Sequence, residues 1–176
     1  MTETLDPAEM RRILEATPST LRHLLGHLPE DALAFHEAPG TWSAVEVLRH
    51  LADGEAHDWI PRARVILSDG DKRFTPFERE RGLQVYRDWT GAQMLDEFQR
   101  LRDDSLRAWT ALGLSECDLS AQGIHPEFGP VTLGQLLACW VTHDLAHVNQ
   151  ISRVLVRRFG QAIGPWTKYF SLLREH

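Results

Sequence analysis

Two histidines, His143 and His147, stand four positions apart in the run Cys139-Trp140-Val141-Thr142-His143-Asp144-Leu145-Ala146-His147-Val148-Asn149-Gln150-Ile151. On a helix, residues at that separation share one face a turn apart, so both imidazoles can turn toward one ion without distorting the backbone. The third ligand read from the sequence is His50, in Trp42-Ser43-Ala44-Val45-Glu46-Val47-Leu48-Arg49-His50-Leu51-Ala52-Asp53, because that stretch also has a helical pattern long enough to cross a bundle. Three neutral imidazoles leave a divalent ion with an open position and uncompensated charge. Under those conditions bound water is acidified to a pKa near ~7, a carbonyl is polarised and a thiol ionises. Zinc is the default ion for such donors, with nickel, iron or manganese as the others. The plainer reading is a set of surface or hydrogen-bonded core histidines. Against it, rings set among Leu136, Trp140 and Ile151 cost desolvation energy unless something satisfies their nitrogens.

Asp53, one turn after His50, is the candidate to orient an imidazole or accept a proton, with a helix-surface carboxylate as the alternative. Trp42 and Trp140, together with Trp59, are candidate pocket walls, although tryptophans in a bundle are usually core. Asp144 diverges from His143 by about a quarter turn and is expected to hold another group rather than the same ion. Gly54 either leaves space beside the ion or permits helix contact. His57 lies near the mouth or at the surface, and His125, before Pro126, faces the pocket or shapes the turn.

These side chains need helices to place them. Asp6-Pro7-Ala8-Glu9 opens a first helix toward Leu28, with a kink or two segments expected at Thr17-Pro18. Pro29 to Thr41 reads as a connector. Ser43 with Glu46 caps a second helix, which Pro61 should bend before it resumes toward Ser68. Residues 68–89, polar and charged, read as a long crossover over the surface. Thr90 caps a third helix through Met94, Leu95, Phe98, Leu101, Leu106 and Trp109. His125 to Pro130 folds as an extended turn, Thr132 caps the fourth helix, and Gly164-Pro165 starts a short terminal helix ending near Leu173. Strand-like alternation is almost absent. The fold class is all-α, a four-helix bundle.

With 176 residues, 43% of them hydrophobic, the chain matches one domain, 1–176, with a substantial core. Cys117 and Cys139, far apart and without CxxC spacing, speak against a disulfide scaffold or zinc ribbon and fit a reducing cytoplasm. Met1 to Asp6 show no basic and apolar leader pattern, and no apolar run approaches membrane-spanning length, so a cytoplasmic protein without membrane partners is expected. A net charge of -6 makes nucleic acid a poor partner. Arg153, Arg157 and Arg158 are read as a solvated helix end, not a phosphate-binding patch.

The order Trp42-Ser43-x-x-Glu46-x-x-x-His50-Leu51-x-Asp53, a crossover, His125-Pro126-x-Phe128-Gly129, and Leu136-x-x-x-Trp140-x-x-His143-Asp144-x-x-His147-x-x-Gln150-Ile151 resembles the DinB-like/YfiT-like metalloprotein superfamily over nearly the whole chain. The name belongs to the helical damage-inducible family, not to the DNA polymerase. The resemblance implies an up-down-down-up bundle, a divalent metal on His50, His143 and His147, and frequent homodimers. It also implies chemistry on a small-molecule substrate. Some members are transferases and isomerases using low-molecular-weight thiols, and others carry a hydrolase label. Two other functions compete. His143-Asp144 suggests an HD-type phosphohydrolase, and a metal that only stabilises the bundle would make the domain a non-catalytic stress or interaction protein.

Overall fold

Each long helix begins where a side chain takes up the free amides of its first turn. In the computed structural model, which describes residues 6–173, α1 (Pro7–Leu25) starts where Asp6 accepts from the Ala8 amide. The rest of the N-terminal stretch inspected for a leader, residues 1–5, lies outside the described residues. Full capping boxes open the other three long helices: Ser43 with Glu46, Thr90 with Gln93, and Thr132 with Gln135. Short α2 (Glu30–Leu33) precedes α3 (Ala44–His57), which α4 (Trp59–Leu67) continues after a break at Asp58. The crossover carries α5 (Arg81–Val85) before α6 (Gly91–Ala111). Strands β1 (Gln122–His125) and β2 (Gly129–Thr132) pair antiparallel ahead of α7 (Leu133–Phe159), and the described chain ends in 3-10 turns at Gly164–Tyr169 and Ser171–Leu173. No helix of the described residues is long and apolar enough to cross a membrane.

Four sequence expectations need correction. The first helix does not break at Pro18. Thr17 Oγ1 donates to the Ile13 carbonyl at 3.1 Å instead of capping a restart, and the Leu14 carbonyl that Pro18 cannot serve accepts from Arg102 Nη1 at 2.5 Å. The bend expected at Pro61 falls at Asp58, which leaves Pro61 in the first turn of α4, where a missing amide costs little. The crossover is not a plain surface strap. Its α5 lies so close to α3 that a Cβ on Gly82 would come within 2.5 Å of the Arg49 carbonyl oxygen. The extended turn at 125–130 is the tip of a hairpin, with His125 paired to Gly129 and Gln122 to Thr132. Its strands are too short for alternation to register.

Polar contacts give the helix directions. Arg22 meets Asp96 while the Leu14 carbonyl meets Arg102, so α1 and α6 are antiparallel. Arg49 reaches the carbonyls of Arg87 and Trp89 just ahead of α6, whereas Glu55 meets Arg102, so α3 and α6 are parallel. His50 meets His143 and Glu55 meets Trp140, so α3 and α7 are antiparallel. The bundle is therefore up-down-down-up, and two parallel neighbours in succession require the long crossover.

The core divides into two apolar clusters. One holds Leu14, Trp59, Leu106, Trp109 and Trp140; the other holds Leu21, Leu48, Met94, Phe98 and Ile151. Between them along the helices runs a buried polar layer. Arg102 binds both oxygens of Asp144 at 2.8 and 3.0 Å and Glu55 Oε1 at 2.8 Å, and Trp140 Nε1 donates to that same Glu55 oxygen at 2.9 Å. Glu55, Arg102 and Asp144 are all buried. Removing one member of such a set leaves uncompensated charge in the interior. Replacing Arg102 with methionine should therefore cost about 3–5 kcal/mol in urea unfolding; a loss under about 1 kcal/mol would show that the network does not hold the bundle together.

Candidate metal centre

His50 sits two turns into α3, and His143 and His147 lie a turn apart on α7, so antiparallel packing of these helices brings three rings to one place. His143 Nε2 lies 2.9 Å from His50 Nε2 and 3.1 Å from His147 Nε2. Two nitrogens on one ion at ~2.1 Å, subtending roughly 90–110°, would be about 3.0–3.4 Å apart, so the spacing suits a shared ligand. The three ligand atoms all lie within 4.8 Å of one another.

Hydrogen bonding on the far side of two rings fixes which nitrogen is free. His50 Nδ1 donates to the Arg79 carbonyl at 3.1 Å, and His147 Nδ1 donates to Gln150 Oε1 at 2.8 Å. Both Nε2 atoms are thereby left as lone pairs aimed at His143 Nε2. A single proton on His143 cannot serve both contacts at full strength, whereas a cation among the three nitrogens satisfies all of them. His143 Nδ1 is buried without a hydrogen-bond partner. Burial is the main cause that pushes all three imidazoles below their usual range, His50 to about 4, with mutual repulsion adding to the shifts of His50 and His143. At neutral pH all three are neutral, as ligands must be.

Aromatic rings brace the cluster. Trp42 lies 5.0 Å from the His50 ring and stacks 6.5 Å from His147, and Trp59 meets His143 edge-on at 5.1 Å. The imidazoles open into a cavity of about 850 Å³ whose walls include Trp59, Phe77, Phe128 and Leu136. The hairpin and the crossover both contribute to its wall. They are tied together where the Phe74 amide donates to the Ile124 carbonyl at 2.9 Å and the Ile124 amide to the Lys72 carbonyl at 2.8 Å.

The other residues singled out in the sequence are placed as follows. Asp53 is buried but turned from the imidazoles, with Oδ1 on Arg81 at 2.6 Å and near His57 at 3.4 Å, facing an adjoining cavity of about 330 Å³. The orienting contact foreseen for Asp53 comes instead from the Arg79 carbonyl. Trp42 packs behind two ligand rings. Trp140 lies behind the wall, stacked on Trp59 at 5.9 Å, so Trp59 is the tryptophan that faces the cavity. Asp144 holds Arg102, as its position on the helix suggested. Gly54 makes room for the Trp59 indole, not for an ion. His125 both lines the cavity and shapes the turn, accepting from the Glu127 and Phe128 amides.

Sequence reasoning missed Asp58, Arg62, Arg79, Cys139 and Gln150 as parts of the site. Gln150 and Cys139 carried a usable signal: Gln150 is three residues after His147 and Cys139 four before His143, so both share the ligand face. Burial outweighs the Arg62 guanidinium, 2.6 Å away, and pushes the Asp58 carboxyl up to about 6.

The chain is similar to proteins of known description. A protein of Bacillus licheniformis named "Putative metal-dependent hydrolase" is 31% identical over 143 residues, 78% of each chain. YfiT of Bacillus subtilis, which carries the same description, is 25% identical over 148 residues, 81% of this chain and 82% of its own. The solved structure of YfiT, described as an unusual four-helix bundle topology, superposes with a TM-score of 0.68 at 21% identity, covering 91% of this chain and 93% of that one. Residues 13–151, which include all three histidines and the polar layer between the helices, match the DinB superfamily, and the chain belongs to it.

Proposed function

We propose that the chain is a metal-dependent enzyme that delivers an activated nucleophile to an electrophilic carbon of a small molecule. The observation that carries this reading is the convergence of three Nε2 atoms on the wall of the cavity. A divalent ion held there, with zinc the default for an imidazole set and nickel, iron or manganese the alternatives, lowers the pKa of bound water to ~7 or ionises a thiol. The protein supplies the rest. Arg79 and Gln150 fix the tautomers of His50 and His147, Trp42 and Trp59 hold the rings, and Phe77, Phe128 and Leu136 give the cavity an apolar wall. Asp58, titrating near neutrality in the same wall, is placed to take or give a proton.

Hydrolysis is the first reading, in keeping with the names carried by the relatives. Transfer to a low-molecular-weight thiol is the second, favoured by a cavity of about 850 Å³, which has room for two reactants. A phosphohydrolase of the HD type loses support, because Asp144 spends both oxygens on Arg102. A purely structural metal is disfavoured by the donor count, since such sites close with four protein ligands and the cluster among the described residues has three.

Protein purified without a nickel column should bind one divalent ion per chain by elemental analysis, and His50→Ala and His147→Ala should each weaken binding by about tenfold or more, at least about 1.4 kcal/mol. Undiminished metal in both variants rejects the site. The zinc-loaded protein should then cleave an activated ester unaided if it is a hydrolase, or consume an aryl halide only with added cysteine if it is a thiol transferase.

The metal-free protein should also report its buried imidazoles through pH. An unfolded histidine titrates near ~6.5 and folded His50 near about 4, so between these values the unfolded chain binds a proton that the folded chain does not. Stability is whole above the higher value and falls as pH drops toward the lower one, by about 3 kcal/mol from His50 alone. Urea unfolding from pH 7.5 to 4 should show this loss, and His50→Leu should remove that part of the slope.

A further inference from the structure

The charges lining the main cavity do not balance. Its wall holds two guanidiniums, Arg62 and Arg79, and one carboxylate, Asp58. Asp58 is already engaged by Arg62 at 2.6 Å. Among the described residues no carboxylate lies within ion-pair distance of Arg79. Its guanidinium instead lies over the Trp42 ring at 4.8 Å, and Trp42 in turn packs against His50 and His147. The guanidinium is thus held at the edge of the ligand cluster, and its charge acts on all three imidazoles. The chain as a whole has a net charge of -6, so this excess of positive charge is local.

Arg79 is exposed, so its guanidinium sits at the rim; a cation there works against a bound dication unless the cavity's occupant brings negative charge. The fork of an arginine matches a planar carboxylate with two parallel hydrogen bonds, and a cation already resting on an aromatic face gives up little freedom in making them. Beyond Arg79 the lining is mainly apolar, with Phe77, Phe128, Val131 and Leu136. One unmatched guanidinium next to an apolar wall calls for one anionic group joined to an apolar body.

We propose that Arg79 anchors the substrate, binding the carboxylate of a small molecule whose apolar body lies against Phe77, Phe128 and Leu136. This rests on the metal-dependent reading and gives it a substrate class. Arg79 then serves the site twice: its backbone carbonyl holds His50, and its side chain holds the substrate. Substitution of the side chain separates the two, because the carbonyl remains.

Calorimetry with phenylbutyrate and its uncharged amide tests the assignment on zinc-loaded and metal-free protein. The zinc-loaded wild type should prefer the acid by about tenfold or more. Arg79→Gln should reduce that preference to less than about twofold, with zinc stoichiometry and Tm unchanged, and Arg79→Lys should restore part of it. The proposal is overturned if the acid is preferred equally in Arg79→Gln, which would place the carboxylate on the ion alone. It is equally overturned if the wild type does not distinguish acid from amide, or if no acid from phenylacetate to phenyloctanoate binds at about 10 mM. Should the wild type hold no zinc, the metal-dependent reading fails by itself, and the acid-to-amide comparison on metal-free wild type and Arg79→Gln still decides the role of Arg79.

Discussion

The buried guanidinium of Arg102 is the constraint on which the arrangement of this bundle depends. It contacts a residue of each of the other long helices: the Leu14 carbonyl on α1, Glu55 on α3 and Asp144 on α7. An apolar contact tolerates a helix rotating by some tens of degrees, but a two-pronged contact between a guanidinium and a carboxylate does not. Because Asp144 is fixed inward on Arg102, the rotation of α7 is fixed, and His143 and His147 on either side of it are turned toward α3. Glu55 does the same for α3, one and a half turns beyond His50. The three histidines converge because a separate set of charges sets the phase of the helices that carry them.

That arrangement explains an otherwise costly choice. Burying an ionic cluster repays its desolvation only with good geometry, and a well-packed apolar layer would be as stable. An apolar layer would not select a rotation. The same network also absorbs the consequence of Pro18: the carbonyl released inside α1 becomes a third acceptor for Arg102, so the proline supplies a binding group without breaking the helix. The two apolar clusters on either side provide burial, while the polar layer between them provides register.

Features carried by local spacing were legible in the sequence. Ser43 with Glu46, Thr90 with Gln93 and Thr132 with Gln135 mark helix starts because capping is settled within four residues, and the spacing of His143 and His147 marks a shared face for the same reason. Features that depend on a partner far along the chain were harder to read. Pro18 looked like a break because the donor that rescues its helix is Arg102, 88 positions from Leu14. Arg102 itself left a trace, a charge at helical spacing between Phe98 and Leu106, but nothing local names its partners. The tautomer of His50 depends on a backbone carbonyl at Arg79, and no side-chain pattern encodes a carbonyl; Asp53, the nearest carboxylate in sequence, was the natural but different candidate. The hairpin escaped because four-residue strands are shorter than the window over which alternation becomes visible.

The two polar groups of the interior act in opposite directions, and together they define how this fold is divided. Around Arg102, charges meet opposite charges and the layer holds the helices in place without any ligand. Around His143, neutral rings meet nitrogen to nitrogen, an arrangement that the surrounding packing holds in place and that a cation would satisfy. An ion bound there would bind the folded state preferentially, so folding and metal capture would be coupled. A site built this way need not assemble when the ion arrives. The charged layer around Arg102 has already oriented the rings.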